Sequence, residues 1–349
     1  MEYYSLNKYL QNKFGCKVYK ISLNAGFTCP NRDGTLGTRG CIFCSEGGSG
    51  DFAESAALSV TEQIERGKKR VAKKIKSGKY IAYFQAFTNT YAPVEILRAK
   101  FTEALNHPDI VMLSIATRPD CLPNDVVALL SEINKIKPVS VELGLQTIHE
   151  STAKYIRRGY SLEVYDEAVR RLRAENIDVV THLIIGLPNE SKEDMLQSVA
   201  HACNAGTNGI KLQLLHILKG TDLANDYAAG KFKALEFEEY LEIIHDCVEI
   251  IPDNVVIHRL TRDEKSRTFS SNSQTSYILL NLVAKQSLDF VLHRLSGVLV
   301  EVDTDNIGRA VYLLSDGGCG VLCGGLCCCV SVFCHSIPPM NEKCPTRKG

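Results

Sequence analysis

The sequence carries no net charge, because its 40 lysine and arginine residues are balanced by 40 aspartate and glutamate residues. No overall electrostatic field therefore attracts nucleic acid, an anionic membrane or an acidic ligand. A partner of these kinds would have to meet a local basic patch. The densest patch is the run from Arg66 to Lys79, which fits either a solvated helix face or a contact with RNA phosphates.

A long uninterrupted hydrophobic run is also missing. Residues 1–15 lack the apolar core and the small-residue cleavage site of a signal peptide. The apolar stretch from Tyr277 to Val302 is interrupted by Lys285, Asp289 and Arg294, so it is a poor membrane span. We therefore expect a cytoplasmic protein without membrane contact, in a compartment where reduced thiols are free to bind metal.

The glycine-rich stretch from Asn24 to Phe52 contains three cysteines and lacks a fourth. Cys41 and Cys44 form a C-x2-C pair, a spacing that brings two thiolates within reach of one metal or cluster. Cys29 lies one loop earlier and is followed by proline, asparagine, aspartate and glycine residues, which favour turns over regular structure. The pattern predicts a loop that wraps around a bound group.

The number of thiols limits what that group is. A structural zinc ion requires four ligands and a closed site. A [4Fe-4S] cluster held by only three thiolates keeps one iron open to a small-molecule ligand, and that iron would be a reaction site. A zinc site and three unconnected loop cysteines stay open as alternatives on these residues alone.

The stretch resembles the cysteine motif of the radical S-adenosylmethionine (SAM) enzymes. Within them it is similar to the YhcC/YtqA-type branch, which has an Elp-three-like radical SAM core. That branch has a longer gap than the common C-x3-C before its last two cysteines, and an aromatic residue, here Phe43, before the final cysteine. The resemblance is continuous as far as the segment His258 to Thr261.

The resemblance implies a set of cofactors. Cys29, Cys41 and Cys44 would hold a [4Fe-4S] cluster, the methionine end of SAM would occupy the open iron, and Phe43 would pack near the adenine. One electron from the reduced cluster would cleave SAM, and the resulting 5′-deoxyadenosyl radical would remove a hydrogen atom from a substrate. A reductant such as flavodoxin or ferredoxin would supply the electron.

From Lys17 onward, short β-branched runs alternate with longer helical segments, which is typical of a parallel α/β fold. Six such units predict a partial (βα)6 barrel that resembles a TIM barrel. Its predicted strands are Val18 to Leu23, Tyr80 to Phe87, Ile110 to Thr117, Val139 to Thr147, Asp178 to Pro188 and Ile210 to Leu218.

Functional side chains of parallel βα folds gather where the strands end, because the loops converge at that edge. Glu142 and Gln146 are separated by an even number of positions and so share one strand face, and a carboxylate inside a barrel needs a donor such as the ammonium of SAM. The segment IIGLPNE looks like the superfamily's fifth-strand motif beside the adenine. The predicted cofactor contacts are Phe43, Gln85, Asn89, Glu142, Gln146, Ile184, Gly186 and Glu190.

Three residues near the barrel mouth are candidates for substrate binding or proton transfer. His182 and His216 lie in the fifth and sixth predicted strands, and Lys219 follows in an LKGTD turn. The lysine could neutralise an anionic substrate group. Each residue also has an ordinary structural interpretation, as a satisfied core histidine or a helix-capping lysine, so the catalytic residue stays unassigned.

Members of the resembling branch are associated with the wobble uridine of tRNA, on which they convert carboxymethylaminomethyl groups to aminomethyl groups. The resemblance therefore implies a tRNA-modifying enzyme, with the Arg66 to Lys79 helix as a candidate RNA contact. A radical SAM enzyme acting on a small metabolite is a second hypothesis, and tRNA binding with a steep salt dependence would count against it. A non-catalytic iron-sulfur or zinc-binding module is a third, and it would not cleave SAM.

The chain changes character near Arg262, where a predicted core domain, residues 1–262, gives way to a tail, residues 263–349. The tail is serine-rich and then contains six cysteines between Cys319 and Cys334. Members of the resembling family end instead in a short basic helical segment. A second cluster, a metal-free extension, and a shifted reading frame that yields a disordered segment are the three explanations, and the frame shift explains the odd composition and the lost periodicity together.

Overall fold

A computed structural model of the protein describes residues 3–50, 53–75 and 78–260, and beyond them only the backbones of four short strands. The chain divides into two units, Met1–Leu280 and Asn281–Gly349. In the first unit, seven strands form one sheet whose strand order follows the order of the chain. Every neighbouring pair in this sheet is parallel.

The sheet is a curled half-barrel, so the predicted partial barrel is confirmed. It contains β1 Tyr19–Leu23, β2 Tyr80–Phe84, β3 Ile110–Thr117, β4 Val139–Gln146, β5 Asp178–Ile185, β6 Gly209–Leu214 and β7 Val256–Arg259. The first six strands correspond to the six predicted ones. The seventh was not predicted, because four residues with two polar side chains carry too little pattern to identify a strand.

Helices connect the strands and cover the outer face of the sheet, as right-handed crossovers between parallel strands require. They are α1 Leu6–Phe14, α2 Val60–Val71, α3 Val94–Asn106, α4 Asn124–Asn134, α5 Glu150–Tyr155, α6 Leu162–Ala174, α7 Lys192–Asn204, α8 Asp222–Ala228 and α9 Phe237–Ile250. Local sequence sets several starts. Ser59 and Ser191 each form a capping box with the acidic residue three positions later, and Ser161 is the N-cap of α6, as predicted.

The hydrophobic core lies between the sheet and these helices. All five residues of β2 are buried, and Phe84 meets Phe101 of α3 edge to face with ring centres 5.0 Å apart. A parallel sheet has both faces covered, and the strands therefore read as nearly continuous apolar runs. The polar residues that interrupt these runs face the inside of the barrel, where the site lies.

Helix α1 closes the edge of the barrel at which the strands begin. Leu10 packs against Val18, Ile81 and Met112, which lie just before β1 and among the first three residues of β2 and β3. Just before the helix, Ser5 forms a parallel bridge with Ile257 of β7. The interior is therefore covered at its lower edge, and the rim where the strands end is the side on which the loops converge.

Three predicted strands extend too far. β2 ends at Phe84, β5 at Ile185 and β6 at Leu214, each three or four residues before the predicted end. The backbone leaves the sheet at these points, and Phe87 has a φ of 60°, far from the extended conformation of a strand interior. The loops at the rim are consequently longer than the sequence pattern indicates.

The second unit contains two antiparallel strand pairs. Their strands are β8 Asp303–Ile307 with β11 Val330–Ser331, and β9 Val311–Leu313 with β10 Cys319–Val321. The three explanations of the tail concern residues that lie almost entirely outside the described ones, and the boundary near Arg262 stays a prediction. Among the helices that the structure describes, none is both long and apolar enough to cross a membrane.

Candidate active site

The cysteine loop joins β1 to α2 and is shaped by successive turns. The carbonyl of Cys29 accepts hydrogen bonds from the N–H groups of Arg32 at 2.8 Å and Asp33 at 3.2 Å. The N–H of Cys44 donates to the carbonyl of Cys41 at 3.1 Å, which closes the C-x2-C segment into a turn. The loop thus has an ordered backbone, as the turn-forming residues predict.

Backbone contacts anchor this loop to the rim of the barrel. The N–H of Ile42 donates to the carbonyl of Ile156 at 3.3 Å, and the carbonyl of Ile42 accepts from Leu223 at 3.0 Å. Further along, the carbonyl of Gly48 accepts from Phe87 at 2.8 Å, and a Cβ added to Gly48 would lie 2.4 Å from the Phe87 ring. Only glycine permits this approach, so the loop is seated on the β2–α3 connection.

The sulfur of Cys41 has the most clearly defined surroundings. Asn31 Nδ2 donates to Cys41 Sγ at 3.3 Å and to the carbonyl of Arg157 at 2.7 Å. Burial raises the pKa of Cys41 to about 11, and the neighbouring thiols of Cys44 and Cys29 add repulsion. The three cysteines therefore lie close enough to interact electrostatically, as the prediction of a shared ligand set requires.

The spacing of the sulfur atoms distinguishes between a single ion and a cluster. In the described part of the chain, only two groups of three potential ligands have all ligand atoms within 4.8 Å of one another, and neither includes a cysteine. A tetrahedral zinc ion with Zn–S bonds of about 2.3 Å holds its sulfurs about 3.8 Å apart. Cys29, Cys41 and Cys44 form no such group, so at least two of their sulfur atoms lie farther apart than they would around one zinc ion.

Two arginines lie over the ring of one tyrosine, and one of them, Arg118, lies near the cysteines. The guanidinium carbons of Arg118 and Arg158 each lie 5.0 Å from the ring centre of Tyr160. Arg118 donates to both carboxylate oxygens of Asp120, at 2.9 and 2.7 Å, which fixes its orientation. Its charge acts on Cys29 as well as on Asp120. Arg118 therefore places one fixed positive charge near Cys29 and Cys41.

Backbone strain concentrates around this loop. Among the described residues, six that are not glycine have positive φ, and five of them lie in the cysteine loop or in loops at the rim. The sixth, Asn176, precedes β5 at the opposite edge. Such conformations cost about 1–3 kcal/mol each and cluster at functional sites. The five are Ser49, Phe87, Gln146, Arg157 and Asn189.

Two predicted cofactor contacts carry buried acceptors that no described group satisfies. Asn89 is fully buried and donates through Nδ2 to the carbonyls of Phe84 at 3.1 Å and Ala116 at 2.9 Å, while its Oδ1 has no partner. Gln146 Oε1 is also buried and has no hydrogen-bond partner among the described residues. A buried acceptor without a donor is costly, so each oxygen suits the N–H or O–H groups of a ligand.

Two other predicted contacts lie in one apolar cluster. Phe43 and Ile184 pack with Ile42, Leu187 and Leu223 at the rim. Phe43 comes from the cysteine loop and Ile184 from β5, so residues far apart in the sequence form one surface. A partly open apolar surface of this kind fits a flat ring such as adenine.

The remaining predicted contacts have mainly structural partners. Glu190 accepts a hydrogen bond from Thr147 Oγ1 at 2.5 Å, and burial raises the pKa of its carboxyl group. Gly186 has a φ of 88°, and a Cβ there would lie 2.9 Å from Leu235. Gln85 is half-buried, and its N–H donates to the Leu23 carbonyl at 3.1 Å. Their contacts with SAM stay predictions.

Glu142 lies inside the barrel at the centre of a charged network. Its Oε1 accepts from Lys20 Nζ at 2.5 Å and from Ser114 Oγ at 2.6 Å. Its Oε2 accepts from His182 Nε2 at 2.8 Å and from Lys211 Nζ. A carboxylate has about four acceptor positions, so protein donors already fill them. The predicted contact of Glu142 with SAM stays a prediction, and in this structure the carboxylate instead orients two lysines.

Burial shifts the protonation of this network. Burial alone would raise the pKa of Glu142, but Lys20 and Lys211 outweigh it and hold that pKa well below its usual range. Burial lowers the pKa of Lys211 to about 7, although Glu142 acts in the opposite direction. Burial and the nearby Lys211 lower the pKa of His182 to about 4, so His182 is neutral at pH 7.

The three candidate catalytic residues lie in different surroundings. His182 belongs to the Glu142 network, whereas His216 is half-buried and Lys219 is exposed, both in the segment that follows β6. The sequence reasoning missed Lys20, Tyr83 and Lys211, which join the network from β1, β2 and β6. A lysine within an otherwise apolar strand, as in YKISL and GIKLQL, was the available signal.

The basic run lies away from the cysteine loop. The carbonyl of Lys79 accepts from the N–H of Tyr19, the first residue of β1, so the run ends at the edge where the strands begin. Lys68 is paired with Asp109 at 2.6 Å, and Arg70 is paired with Glu54. The predicted RNA helix therefore keeps fewer unpaired cations than its sequence indicates, and they lie at the edge opposite the site.

Comparison with known families agrees with this geometry. Residues 33–202 match the radical SAM superfamily, and residues 207–286 match the radical SAM C-terminal domain. YtqA of Bacillus subtilis is 48% identical over 261 residues, which cover 75% of this chain and 81% of that protein. The chain belongs to the radical SAM superfamily. This radical SAM enzyme falls in the same branch as YtqA, which confirms the resemblance seen in the cysteine loop.

More distant relatives support the same placement. YhcC of Escherichia coli K12 is 37% identical over 260 residues, covering 74% of this chain and 83% of that protein. Among solved structures, the Elp3 protein of Methanocaldococcus infernus superposes with a TM-score of 0.59 at 18% identity, covering 83% of this chain and 72% of that chain. The superposition supports the fold of this radical SAM enzyme. Membership of the superfamily implies SAM and a [4Fe-4S] cluster.

Proposed function

We propose that this radical SAM enzyme cleaves SAM at a [4Fe-4S] cluster and modifies the wobble uridine of tRNA, converting a carboxymethylaminomethyl group to an aminomethyl group. The observation that carries the first part is the cysteine loop. Its three thiols interact electrostatically, and their sulfur atoms do not all lie within 4.8 Å of one another, as ligands of a single zinc ion would. The rim also holds two buried acceptors, Asn89 Oδ1 and Gln146 Oε1, that need a ligand's donors.

Different residues of the site would bind the cluster and SAM. Cys29, Cys41 and Cys44 would hold the cluster, with Asn31 donating to the sulfur of Cys41. Phe43 and Ile184 would face the adenine through their shared apolar cluster. When bound, the cluster and SAM supply a 5′-deoxyadenosyl radical that removes a hydrogen atom from the substrate. The chain itself binds, orients and keeps water away.

The acceptors Asn89 Oδ1 and Gln146 Oε1 would take hydrogen bonds from the ammonium or the ribose hydroxyls of SAM. The fold holds both in place. Asn89 is fixed by two backbone carbonyls, and the amide of Gln146 lies over Gly144, where a Cβ would come within 2.7 Å of its nitrogen. Preorganised acceptors of this kind cost little entropy when the ligand binds.

Sequence similarity supports tRNA as the substrate. A protein of Methanocaldococcus infernus named tRNA uridine(34) acetyltransferase is 30% identical over 168 residues, covering 47% of this chain and 30% of that protein. Exposed cations near the cysteine loop, Arg39, Lys154 and Lys219, offer phosphate contacts at the rim. We propose this rim, rather than the basic run on α2, as the RNA-binding surface. Flavodoxin or ferredoxin is the proposed electron donor.

The experiment combines cofactor cleavage with nucleoside analysis. The full-length protein is reconstituted anaerobically with iron and sulfide, then incubated with reductant, SAM and tRNA that carries carboxymethylaminomethyluridine. Mass spectrometry of the digested tRNA is expected to show conversion to aminomethyluridine, together with 5′-deoxyadenosine. The Cys41→Ala variant is the control and is expected to form neither product.

Two outcomes would overturn the proposal in different ways. If 5′-deoxyadenosine forms and the nucleoside is unchanged, tRNA is not the substrate. That result would favour the hypothesis of a small-metabolite substrate. If the cluster assembles but SAM stays intact with every reductant supplied, the site is a non-catalytic iron-sulfur module.

A further inference from the structure

We propose that Lys20 and Lys211, inside the barrel, form a receptor for a carboxylate group of the substrate, and that Glu142 is the residue that positions them. The inference rests on the proposed function, because the carboxymethylaminomethyl group carries a carboxylate that the aminomethyl product lacks. The receptor would distinguish substrate from product.

The two lysines are arranged as a pair. Lys20 Nζ binds one oxygen of Glu142 at 2.5 Å, and Lys211 Nζ binds the other oxygen. Both ammonium groups also lie over the ring of Tyr83, at 4.8 and 4.7 Å from its centre, and Lys211 donates to the Tyr83 hydroxyl at 3.2 Å. The carboxylate and the aromatic ring thus hold two cations close together.

The charges of this network do not balance. When both lysines are protonated, they supply two positive charges against the single negative charge of Glu142, and Arg259, the register partner of Lys211, adds repulsion. His182 contributes no negative charge in either protonation state. A buried excess of positive charge is costly unless an anion joins it. Burial is the main cause of the lowered pKa of Lys211, and repulsion from Lys20 and Arg259 adds to it, so a bound anion would favour the charged form of Lys211.

Accessibility separates the cations from the carboxylate. The side chain of Glu142 is 0% exposed, whereas those of Lys20 and Lys211 are 19% and 10% exposed. The side chains around Glu142 therefore shield its carboxylate from solvent, while both lysines keep some exposed surface that a ligand can contact. Each ammonium group has three hydrogens and uses one on Glu142. Lys20 uses a second on Ser114 and Lys211 a second on Tyr83, so each lysine keeps one hydrogen for a ligand.

The network lies below the rim that the cysteine loop covers. Lys20, His182 and Lys211 each lie three residues before the last residue of their strands, a depth of about 10 Å along a strand. Helix α1 covers the other end of the barrel through Leu10. An anion would therefore enter from the same side as SAM, carried on an arm that projects from the substrate.

One further group in the network needs a partner. His258 Nδ1 of β7 is shielded from solvent and has no hydrogen-bond partner among the described residues. Burial lowers the pKa of His258, and the charges of Lys20, Glu142 and Lys211 also act on it, so its ring lies within electrostatic range of the pair. A neutral imidazole nitrogen can donate to a carboxylate oxygen, so an anionic ligand would satisfy it as well.

The test compares RNAs that differ only at the proposed anion. Anticodon stem-loops are prepared with carboxymethylaminomethyluridine, its uncharged carboxamide analogue, or aminomethyluridine at the wobble position. Affinity for the cluster-reconstituted full-length protein is measured by fluorescence anisotropy with SAM present and reductant absent. We expect about tenfold tighter binding of the carboxylate RNA than of the carboxamide RNA, since a hydrogen bond between charged groups contributes that much or more.

The variants assign this preference to the lysines. Lys211→Gln and Lys20→Gln are each expected to bring the ratio of the two affinities close to one, while binding of the aminomethyl RNA changes little. Lys211→Arg keeps the positive charge and is expected to retain part of the preference for the carboxylate RNA. This variant tests the role of the charge even if the glutamine variants fold poorly. Lys192→Gln, at a surface lysine paired with Glu242 and Asp246, is the matched control and is expected to keep the full ratio.

Three results would overturn the inference. The wild-type protein could bind the carboxylate and carboxamide RNAs equally, or the glutamine variants could keep the tenfold preference. Alternatively, the variants could lose affinity for SAM while still distinguishing the two RNAs, which would assign the anion to the carboxylate of SAM. The proposed function is tested separately, by nucleoside conversion with the wild-type protein. The tRNA-modifying function and the carboxylate receptor can therefore be disproved independently.

Discussion

At the scale of single residues, Glu142 organises the barrel interior. Its carboxylate accepts from side chains on β1, β3, β5 and β6 and is completely buried. Removing one partner from a buried ion network leaves uncompensated charge, which destabilises far more than loss of a surface pair. The residue therefore has a measurable structural role that is independent of any cofactor.

The substitution Glu142→Gln keeps the shape of the side chain and removes its charge. We expect the free energy of unfolding at pH 6, where Lys211 with its pKa of about 7 is mostly protonated, to fall by about 3 kcal/mol, because two buried ammonium groups lose their counter-charge. Urea unfolding followed by circular dichroism measures this change. Glu132→Gln, at an exposed residue paired with Arg98, is the control and is expected to cost less than about 1 kcal/mol. Equal effects of the two substitutions would contradict the proposed role of Glu142.

Stability should also fall on mild acidification because of His182. Its folded pKa of about 4 lies below the value of 6.5 expected in the unfolded chain, so the unfolded state binds a proton in this window and the folded state does not. Between pH 7 and pH 5 this histidine is expected to remove about 2 kcal/mol. His258, whose pKa is lowered mainly by burial, acts in the same direction.

The measurement is the pH dependence of urea unfolding for the wild type and for His182→Gln. The variant is expected to lose less stability between pH 7 and pH 5 than the wild type does. His245→Gln, at an exposed position, is expected to leave the slope unchanged. Parallel curves for the wild type and His182→Gln would show that this histidine is not held neutral in the folded protein.

The residue scale also shows where sequence reasoning reaches its limit. Cys29, Cys41 and Cys44 were predictable because their ligand spacing is local in the chain. Lys20 and Glu142 are separated by 122 residues, and no periodicity indicates that β1 and β4 bring them together. Glu142 was noticed as a strand carboxylate, but its donors depend on the curvature of the sheet.

At the scale of elements, α1 closes the lower edge of the barrel. Leu10, 3% exposed, contacts the first residues of neighbouring strands. We expect Leu10→Ala to lower the free energy of unfolding by about 3 kcal/mol, as for other buried leucines that leave a cavity. Chemical denaturation measures this change, and a loss below about 1 kcal/mol would show that α1 packs only loosely. The substitution Ile136→Ala, at a residue 71% exposed, is the control.

Charge reversal at the rim and charge reversal on the basic run are expected to affect RNA binding differently. We expect the double substitution Lys154→Glu with Lys219→Glu to weaken tRNA binding at least fivefold at moderate salt, because both side chains are exposed at the rim. Lys73→Glu with Lys74→Glu, on the run after α2, reverses the same charge at the opposite edge and is expected to have a smaller effect. Filter binding at several salt concentrations compares them. If the second pair of substitutions weakens tRNA binding more than the first, the basic run and not the rim is the RNA-binding surface.

Element prediction succeeded where a segment has its own pattern. Six strands and the helices between them follow from alternating β-branched and helical segments, and the cap at Ser161 was placed correctly. Strand β7 was missed because four residues carry too little pattern, and its place in the sheet depends on distant contacts such as the bridge from Ser5 to Ile257. Strand ends were overestimated because positive φ at the rim is a property of the folded loops.

At the scale of the whole molecule, the fold separates the parts of one site by depth. The cysteine loop and the unsatisfied acceptors of Asn89 and Gln146 lie at the rim, whereas the Glu142 network lies deeper and α1 covers the base. This arrangement suits a reaction in which a cofactor is held at the opening and an arm of the substrate reaches past it. Neutral net charge is consistent with a local RNA contact.

The central claim is that the three-cysteine loop makes SAM cleavage possible, and cleavage by the full-length protein tests it most directly. After anaerobic reconstitution and reduction, 5′-deoxyadenosine is measured for the wild type, for Cys41→Ala, and for Cys203→Ala as a control at a cysteine outside the loop. We predict product from the wild type and Cys203→Ala and none from Cys41→Ala. Equal product from all three proteins, or none from a wild-type protein with a fully assembled cluster, would contradict the account.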